Sequence, residues 1–289
     1  MTIADVSGSN TACMARLQIS EVFGHDVNDH SAEGKRDRQR MWCPFRDSKC
    51  TKGGKQRPLG ICSFGDETAA TSVCPVRFLQ ANRIFVDAGR TAFGEGKKIV
   101  VVPEMRLLRV PDTGKRIGKI DFLIAVLDGA GRPADFAALE VQAVYISGKS
   151  VRPFFNEFLR TEILPAGAKA RPDYRSSAQK RLMPQLSLKV PVFRRWGKRF
   201  FVVVDKPFFT ALPRIRRVEG KENSEITWLV YELNRNASGI GYSLSDPDVV
   251  FTLWDDVLTA LREGEAPQQS EVLAEISTRL PQLKSFDTQ

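Results

Sequence analysis

A chain of 289 residues with 42% apolar side chains is long enough to bury a core, and its longest apolar runs, residues 200–204 and 122–127, are far too short to cross a bilayer. The amino terminus lacks a basic segment followed by an apolar one, so a cytoplasmic protein is expected, neither secreted nor membrane-bound. The net charge of +9 is clustered: residues 35–57 hold nine Lys or Arg against Asp37 and Asp47, residues 169–199 hold ten against Asp173, and residues from 245 onward hold nine acidic and three basic. Clustered basic residues create a field that attracts phosphate, so nucleic acid is the leading partner; neither run has the pattern of an amphipathic membrane anchor.

In chain order, the first ten or so residues are small and polar, and fraying is expected there. Residues 19–74 are rich in Gly, charge and cysteine but poor in apolar periodicity, a composition that needs a staple to fold. The five cysteines, Cys13, Cys43, Cys50, Cys62 and Cys74, all lie in the first 74 residues of the chain. With no secretion signal to favour disulfides, a metal site is the better reading of four of them, and Cys43, Cys50, Cys62 and Cys74 are spaced plausibly for one. Their intervals of six, eleven and eleven residues match no standard zinc finger. Pro75 then opens a helix whose apolar face, Val76, Leu79, Ile84, Phe85 and Ala88, ends near Gly89 or Gly94.

Residues 98–102, 119–127, 136–145, 200–205 and 226–232 read as strands, rich in Val, Ile and Phe, and the turn at 129–133 predicts an antiparallel hairpin between the second and third. Helices are predicted over 151–163, 176–189, 254–262 and 270–280, with Pro184 a kink or boundary. The order predicts an α/β fold, a mixed central sheet flanked by helices, with a small N-terminal four-cysteine metal-binding appendage over residues 1–74 and the main domain over 75–289.

Asp121 stands near the start of one predicted strand, and Glu140 and Gln142 stand on the next, within Ala138-Leu139-Glu140-Val141-Gln142-Ala143. Alternation puts Glu140 and Gln142 on one face and Leu139, Val141 and Ala143 on the other. If the hairpin brings Asp121 beside Glu140, two partly buried carboxylates meet, which costs free energy unless a cation joins them. Magnesium suits such a site because it prefers oxygen ligands and needs only one or two protein carboxylates, and phosphodiester hydrolysis follows as its chemistry. Gln142 occupies a position where many nucleases carry lysine; an amide supplies neither charge nor basicity, so its expected role is to orient water. Glu104, just past the preceding strand, is a further candidate carboxylate.

Read together, Glu21-Val22-Phe23-Gly24, Trp42-Cys43-Pro44-Phe45, Cys50, Gly60-Ile61-Cys62-Ser63 and Cys74-Pro75-Val76-Arg77 resemble the N-terminal region of the NotI restriction endonuclease family, which includes EagI-like enzymes. Leu139-Glu140-Val141-Gln142, Ile146-Ser147-Gly148 and residues 180–185 look like the same family's core. The resemblance implies a homodimeric type II restriction endonuclease of the PD-(D/E)XK nuclease superfamily. Such an enzyme makes magnesium-dependent double-strand cuts at a G/C-rich palindrome and coexists with a cognate methyltransferase in its bacterial host. It also implies catalytic places for Asp121, Glu140 and Gln142, less directly for Glu104, and a structural iron or zinc site on Cys43, Cys50, Cys62 and Cys74. The residues alone leave iron and zinc open, since both accept four thiolates.

Lys180, Arg181 and Gln185 fall in the second basic run and are candidate DNA contacts, Arg suiting guanine and Gln adenine in the major groove, with Gln179 and Gln185 suited either to base edges or to fixing the active site. His25 and His30 read as surface histidines. The alternative reading is a non-catalytic sequence-specific DNA-binding protein in which the four cysteines hold a structural metal and the strands only pack.

Overall fold

The computed structural model describes residues 18–66, 68–109, 112–147, 151–165, 171–262 and 267–282. Cys13 and Gly148 lie outside them, as do the first residues of the chain and part of its acidic C-terminal stretch. In chain order the principal strands are β1 (Gln18–Val22), β2 (His25–Asp26), β3 (Ile61–Gly65), β4 (Ala69–Ser72), β5 (Ile99–Pro103), β6 (Phe122–Leu127), β7 (Pro133–Val141), β8 (Phe200–Asp205), β9 (Ile226–Tyr231), β10 (Leu233–Arg235), β11 (Tyr242–Leu244) and β12 (Asp248–Thr252). The helices are α1 (Ala32–Arg40), α2 (Arg83–Phe93), α3 (Arg152–Thr161), α4 (Met183–Arg195), α5 (Lys206–Thr210), α6 (Trp254–Arg262) and α7 (Gln269–Arg279).

One six-stranded sheet runs in the order β12-β9-β8-β7-β6-β5. It is mixed: β7, β8 and β9 are parallel, while β5, β6 and β12 run against their neighbours. Its central strands are apolar on both faces, which is the pattern of a sheet covered on both sides. Phe200, Val202 and Val204 pack with Leu182, Leu186, Val190 and Phe193 of the α4 segment and Val257 of α6. Phe201 and Val203 pack on the opposite face with Ile84, Phe85 and Ala88 of α2. The predicted mixed sheet flanked by helices is therefore present.

A second six-stranded sheet, in the order β11-β10-β4-β3-β1-β2, is antiparallel throughout. The sequence reading did not anticipate it, because its strands are two to five residues long and pair segments as distant as Leu233 and Ala70. Residues on both sides of the 74/75 boundary build this sheet together. Glu232 alone separates β9 of the first sheet from β10 of the second. The chain leaving β7 turns toward the second sheet, with the Val144 N–H donating to Ser72 O at 2.9 Å, and the Ser72 N–H donating to Asp205 Oδ2 at 2.7 Å. The carboxyl ends of β7 and β8 thus abut β4.

The expected elements shift where tertiary pairing competes with local pattern. Residues 119–127 divide at Asp121, because Arg116–Lys119 pairs back onto Arg106–Arg109 in a separate hairpin before β6 begins. The 176–189 helix instead opens with a turn at Tyr174–Ser177, continues through a π-helical stretch at Ala178–Leu182, and then runs as α4 to Arg195. Pro184 follows closely on the π-helical stretch, where the hydrogen-bond register of the helix changes, and so marks a boundary inside a continuous helix.

Candidate active site

The β6–β7 hairpin sets the geometry. Phe122 pairs with Leu139, so Asp121, one residue before β6, lies opposite Glu140. Backbone amides fix both carboxylates: the Val141 N–H donates to Asp121 Oδ2 at 3.0 Å, and the Asp121 N–H donates to Glu140 Oε1 at 3.3 Å. Glu140 is only 3% exposed. Its neighbours on β7 divide as alternation predicts, Ala138 to the α4 side and Leu139 and Val141 to the α2 side, so Glu140 points toward α4.

What meets it there is Lys189, which the sequence reading counted only as one more charge in a basic run. Its Nζ donates to Glu140 Oε1 at 2.6 Å and to Gln185 Oε1 at 2.8 Å, and the residue is 5% exposed. The signal was in the sequence: Lys189 stands three residues from Leu186 and four from Phe193, in the middle of an apolar helical stripe, where an unpaired ammonium is costly. Gln185, four residues earlier, lies on the same helix face. Of the three expected DNA contacts it is the one that the fold turns toward the carboxylates.

Burial, then the adjacent Asp121 charge, push the Glu140 carboxyl up to about 8, with Lys189 acting in the opposite sense. A carboxyl whose folded pKa exceeds its unfolded value of 4.5 binds its proton more tightly in the fold. Its stabilising protonation is complete below about pH 4.5 and is lost as pH rises through 8, at up to about 1.4 kcal/mol per pH unit. Asp205, pushed up to about 7 by burial, contributes in the same direction. Urea titrations with a chelator at pH 5.5, 6.5 and 7.5 are therefore expected to show the wild type losing stability relative to Glu140→Gln. Equal slopes in the two proteins would refute this assignment of the strained carboxyl.

The remaining candidates are placed less centrally. Gln142 is buried, with its backbone N–H continuing the ladder to Val203 O at 2.9 Å, but its amide donates to the Ala143 carbonyl at 2.5 Å. Glu104 adjoins the pair through its backbone, whose N–H donates to Asp121 O at 2.9 Å, while its side chain is exposed and paired with Lys119 at 2.7 Å. That ammonium holds the Glu104 carboxyl below the usual range. Lys180 and Arg181 are exposed in the π-helical stretch, Arg181 lying 4.4 Å from the centre of the Tyr145 ring.

Cys43, Cys62 and Cys74 are buried and Cys50 is half-buried. Burial pushes the Cys43 thiol up to about 11 and raises Cys50 and Cys62, and in each case the charge of Cys74 adds to the rise. The Gly24 N–H points at Cys62 Sγ at 3.3 Å. Gly24 has φ +82°, and a Cβ there would come within 2.4 Å of Pro44, so only glycine fits this approach. Lys52 sends its ammonium to the carbonyls of Ile61 at 2.6 Å and Val73 at 2.8 Å, where the charges bearing on it are those of Cys74, Cys62 and Cys50. Among the described residues, no group of three or more His, Cys, Asp or Glu side chains stands in a metal-holding arrangement. His25 is not a surface residue: its ring is 13% exposed between Asp29 at 3.2 Å and Asp37 at 2.9 Å, tying the β2 turn to α1. His30 is exposed, as expected.

The family model for restriction endonuclease NotI matches residues 21–244. The chain belongs to the NotI restriction endonuclease family. Among curated proteins none matches significantly. The NotI match opens at Glu21 in β1 and closes at Leu244, the last residue of β11, so it spans the second sheet from β1 to β11, the β6–β7 hairpin and α4. Family membership makes the chain, at that level, a type II restriction endonuclease, a site-specific deoxyribonuclease whose substrate is DNA. No described helix is long and apolar enough to cross a membrane.

Proposed function

We propose that this protein makes magnesium-dependent double-strand cuts in DNA at a G/C-rich palindromic site, acting as a homodimer in the bacterial cytoplasm beside a cognate methyltransferase. The observation that carries the reading is the Asp121–Glu140 pair, two carboxylates locked across one hairpin with the Lys189 ammonium beside them. Their oxygen donors and surplus negative charge suit a hard divalent cation. Magnesium, when bound, supplies Lewis acidity at a phosphoryl oxygen and a lowered pKa for water. Asp121 and Glu140 hold it, and Gln142 orients the attacking water once its amide leaves Ala143. Glu104 joins the carboxylates only after exchanging Lys119 for them. The hairpin, the parallel β7–β8 pair and the α4 side support a PD-(D/E)XK core over residues 75–289.

DNA lies, in this reading, across Lys180, Arg181 and Gln185. A cleft of about 660 Å³ lined by Arg36, Gln39, Arg40, Lys49, Lys55 and Gln56 offers a second basic surface to its backbone. A palindromic target has two-fold symmetry, which favours a two-fold protein.

Within residues 1–74, Cys43, Cys50, Cys62 and Cys74 hold iron or zinc as a structural site. The charge of Cys74 helps to raise the Cys43, Cys50 and Cys62 thiols, and the Lys52 ammonium lies within electrostatic reach of three of the four cysteines; both features suit a tetrathiolate whose anionic form a soft metal stabilises. Cys62→Ser is expected to lower the metal content of the purified protein and its melting temperature together, and unchanged metal content would remove the four-cysteine assignment.

Digestion of unmethylated bacteriophage DNA with and without magnesium, with the fragment ends mapped, tests the central claim. Discrete magnesium-dependent fragments with identical ends are expected. Retained DNA binding without cleavage would favour the non-catalytic DNA-binding alternative.

A further inference from the structure

We propose that Lys189 is a catalytic residue, the cationic group that helix α4 delivers to the scissile phosphate in place of the charge that Gln142 cannot supply. The inference rests on the active-site reading above and deepens it.

Phosphodiester hydrolysis builds negative charge in a small volume. The water oxygen bonds to phosphorus and gives a proton to solvent water, the bond from phosphorus to the leaving sugar oxygen breaks, and that oxygen takes a proton from solvent water. A buried positive donor aimed at this charge is worth far more than the same donor in water. The amide of Gln142 carries no charge and is spent on the Ala143 carbonyl. Lys189 fits the requirement: it is 5% exposed and 2.6 Å from Glu140 Oε1, which is itself held against Asp121.

An ammonium has three donors. Two go to Glu140 and Gln185, which leaves one for an oxygen of the incoming phosphate or of the attacking water.

Stability does not account for a lysine at this position. Leu182, Leu186, Val190 and Phe193 make the inner side of this segment apolar, and taking an ammonium out of water costs several kcal/mol. A buried ion pair is commonly no more stable than an apolar pair of the same size, so packing alone does not call for Lys189 beside Glu140. The ammonium also has a fixed approach. Lys189 rises from a helix whose side is embedded in the core of the mixed sheet, and Gln185, one turn earlier, holds the ammonium from the solvent side.

The decisive experiment moves the charge. Because Gln142 continues the β7 ladder one residue past its end, alternation sets its side chain on the same side as Glu140, and a lysine there is expected to reach the same carboxylate. Single-turnover cleavage by wild type, Lys189→Met, Lys189→Met/Gln142→Lys and Glu140→Gln is measured in magnesium, with DNA affinity in chelator and melting temperature measured alongside. Lys189→Met is expected to slow cleavage on the order of 10²-fold at unchanged DNA affinity and near-native melting temperature, and the double variant to recover at least about tenfold of it. Cleavage by Lys189→Met within about threefold of wild type overturns the proposal. So does a double variant no faster than Lys189→Met, which would reduce Lys189 to a counter-ion. If Lys189→Met does not fold, Lys189→Arg, which keeps the charge, decides in its place: it is expected to retain cleavage well above Glu140→Gln, and a loss as complete as that variant's overturns the inference. Wild-type cleavage by Glu140→Gln would show instead that the active centre itself lies elsewhere, a failure distinct from that of the lysine.

Discussion

Glu140→Gln is expected to reduce single-turnover DNA cleavage by on the order of 10³-fold or more while leaving affinity for the recognition site within a few-fold of wild type. The substitution keeps the size of the side chain and one oxygen that can accept from Lys189 and the Asp121 N–H, so the local hydrogen bonds at 2.6 and 3.3 Å have a replacement. It removes the negative charge that a divalent cation needs. Because Glu140 is pushed up to about 8 by burial and by Asp121, the neutral amide also resembles the state this carboxyl adopts in the absence of a cation, and the fold should tolerate it well. Asp121→Asn is expected to behave alike. Filter binding and cleavage on the same oligonucleotide check both halves, and full activity in either variant would remove the proposed site.

The largest loss of stability is expected from Glu21→Ala, at about 3–5 kcal/mol, through an ion pair far from the carboxylate pair in sequence. Glu21 and Arg77 meet at 2.8 Å with side chains 2% and 1% exposed. Ser63 donates to the same carboxylate at 2.6 Å, and the guanidinium continues to Gln80 at 2.9 Å and to the Tyr242 carbonyl at 2.7 Å, stacked 4.6 Å from the centre of the Phe45 ring. The Glu21–Arg77 pair thus ties β1, β3, the turn after Cys74 and β11 together. Removing Glu21 strands a guanidinium with no charge partner in a site closed to water. Against a typical total of about 5–15 kcal/mol, that is a large share of the folding free energy. Urea midpoints measure it, and Glu21→Ala/Arg77→Met is expected to be less damaging than Glu21→Ala alone, since it removes the stranded charge. A single variant within about 1 kcal/mol of wild type would contradict the geometry.

The candidate site was partly legible in the sequence because its signal is local. Asp121 and the Glu140-Val141-Gln142 run lie on two strands joined by one turn, and strand alternation with hairpin pairing places the two carboxylates opposite each other without knowledge of any other part of the chain. The same holds for β8 and α6, whose apolar patterns gave their limits directly. Lys189 escaped because its partner is 49 residues away, and a lysine in a basic run reads as one more solvated charge until the helix face is known. Glu104 was placed correctly along the backbone, yet its side chain went to Lys119, a choice made by the separate hairpin at 106–119.

From sequence alone came the family, the strand carrying the two polar residues, the mixed sheet with helices on it, and the choice of DNA as partner. Each of these rests on residue order, periodicity or charge, which the chain carries wherever it folds. Only the tertiary structure decided that short strands from 18–72 and 233–244 share one sheet, that His25 is held between two aspartates, and that helix α4 brings an ammonium to Glu140. Those are pairings between segments distant along the chain. Their energy comes from burying charge and backbone polar groups together, and no local pattern records which distant partner will be there to satisfy them.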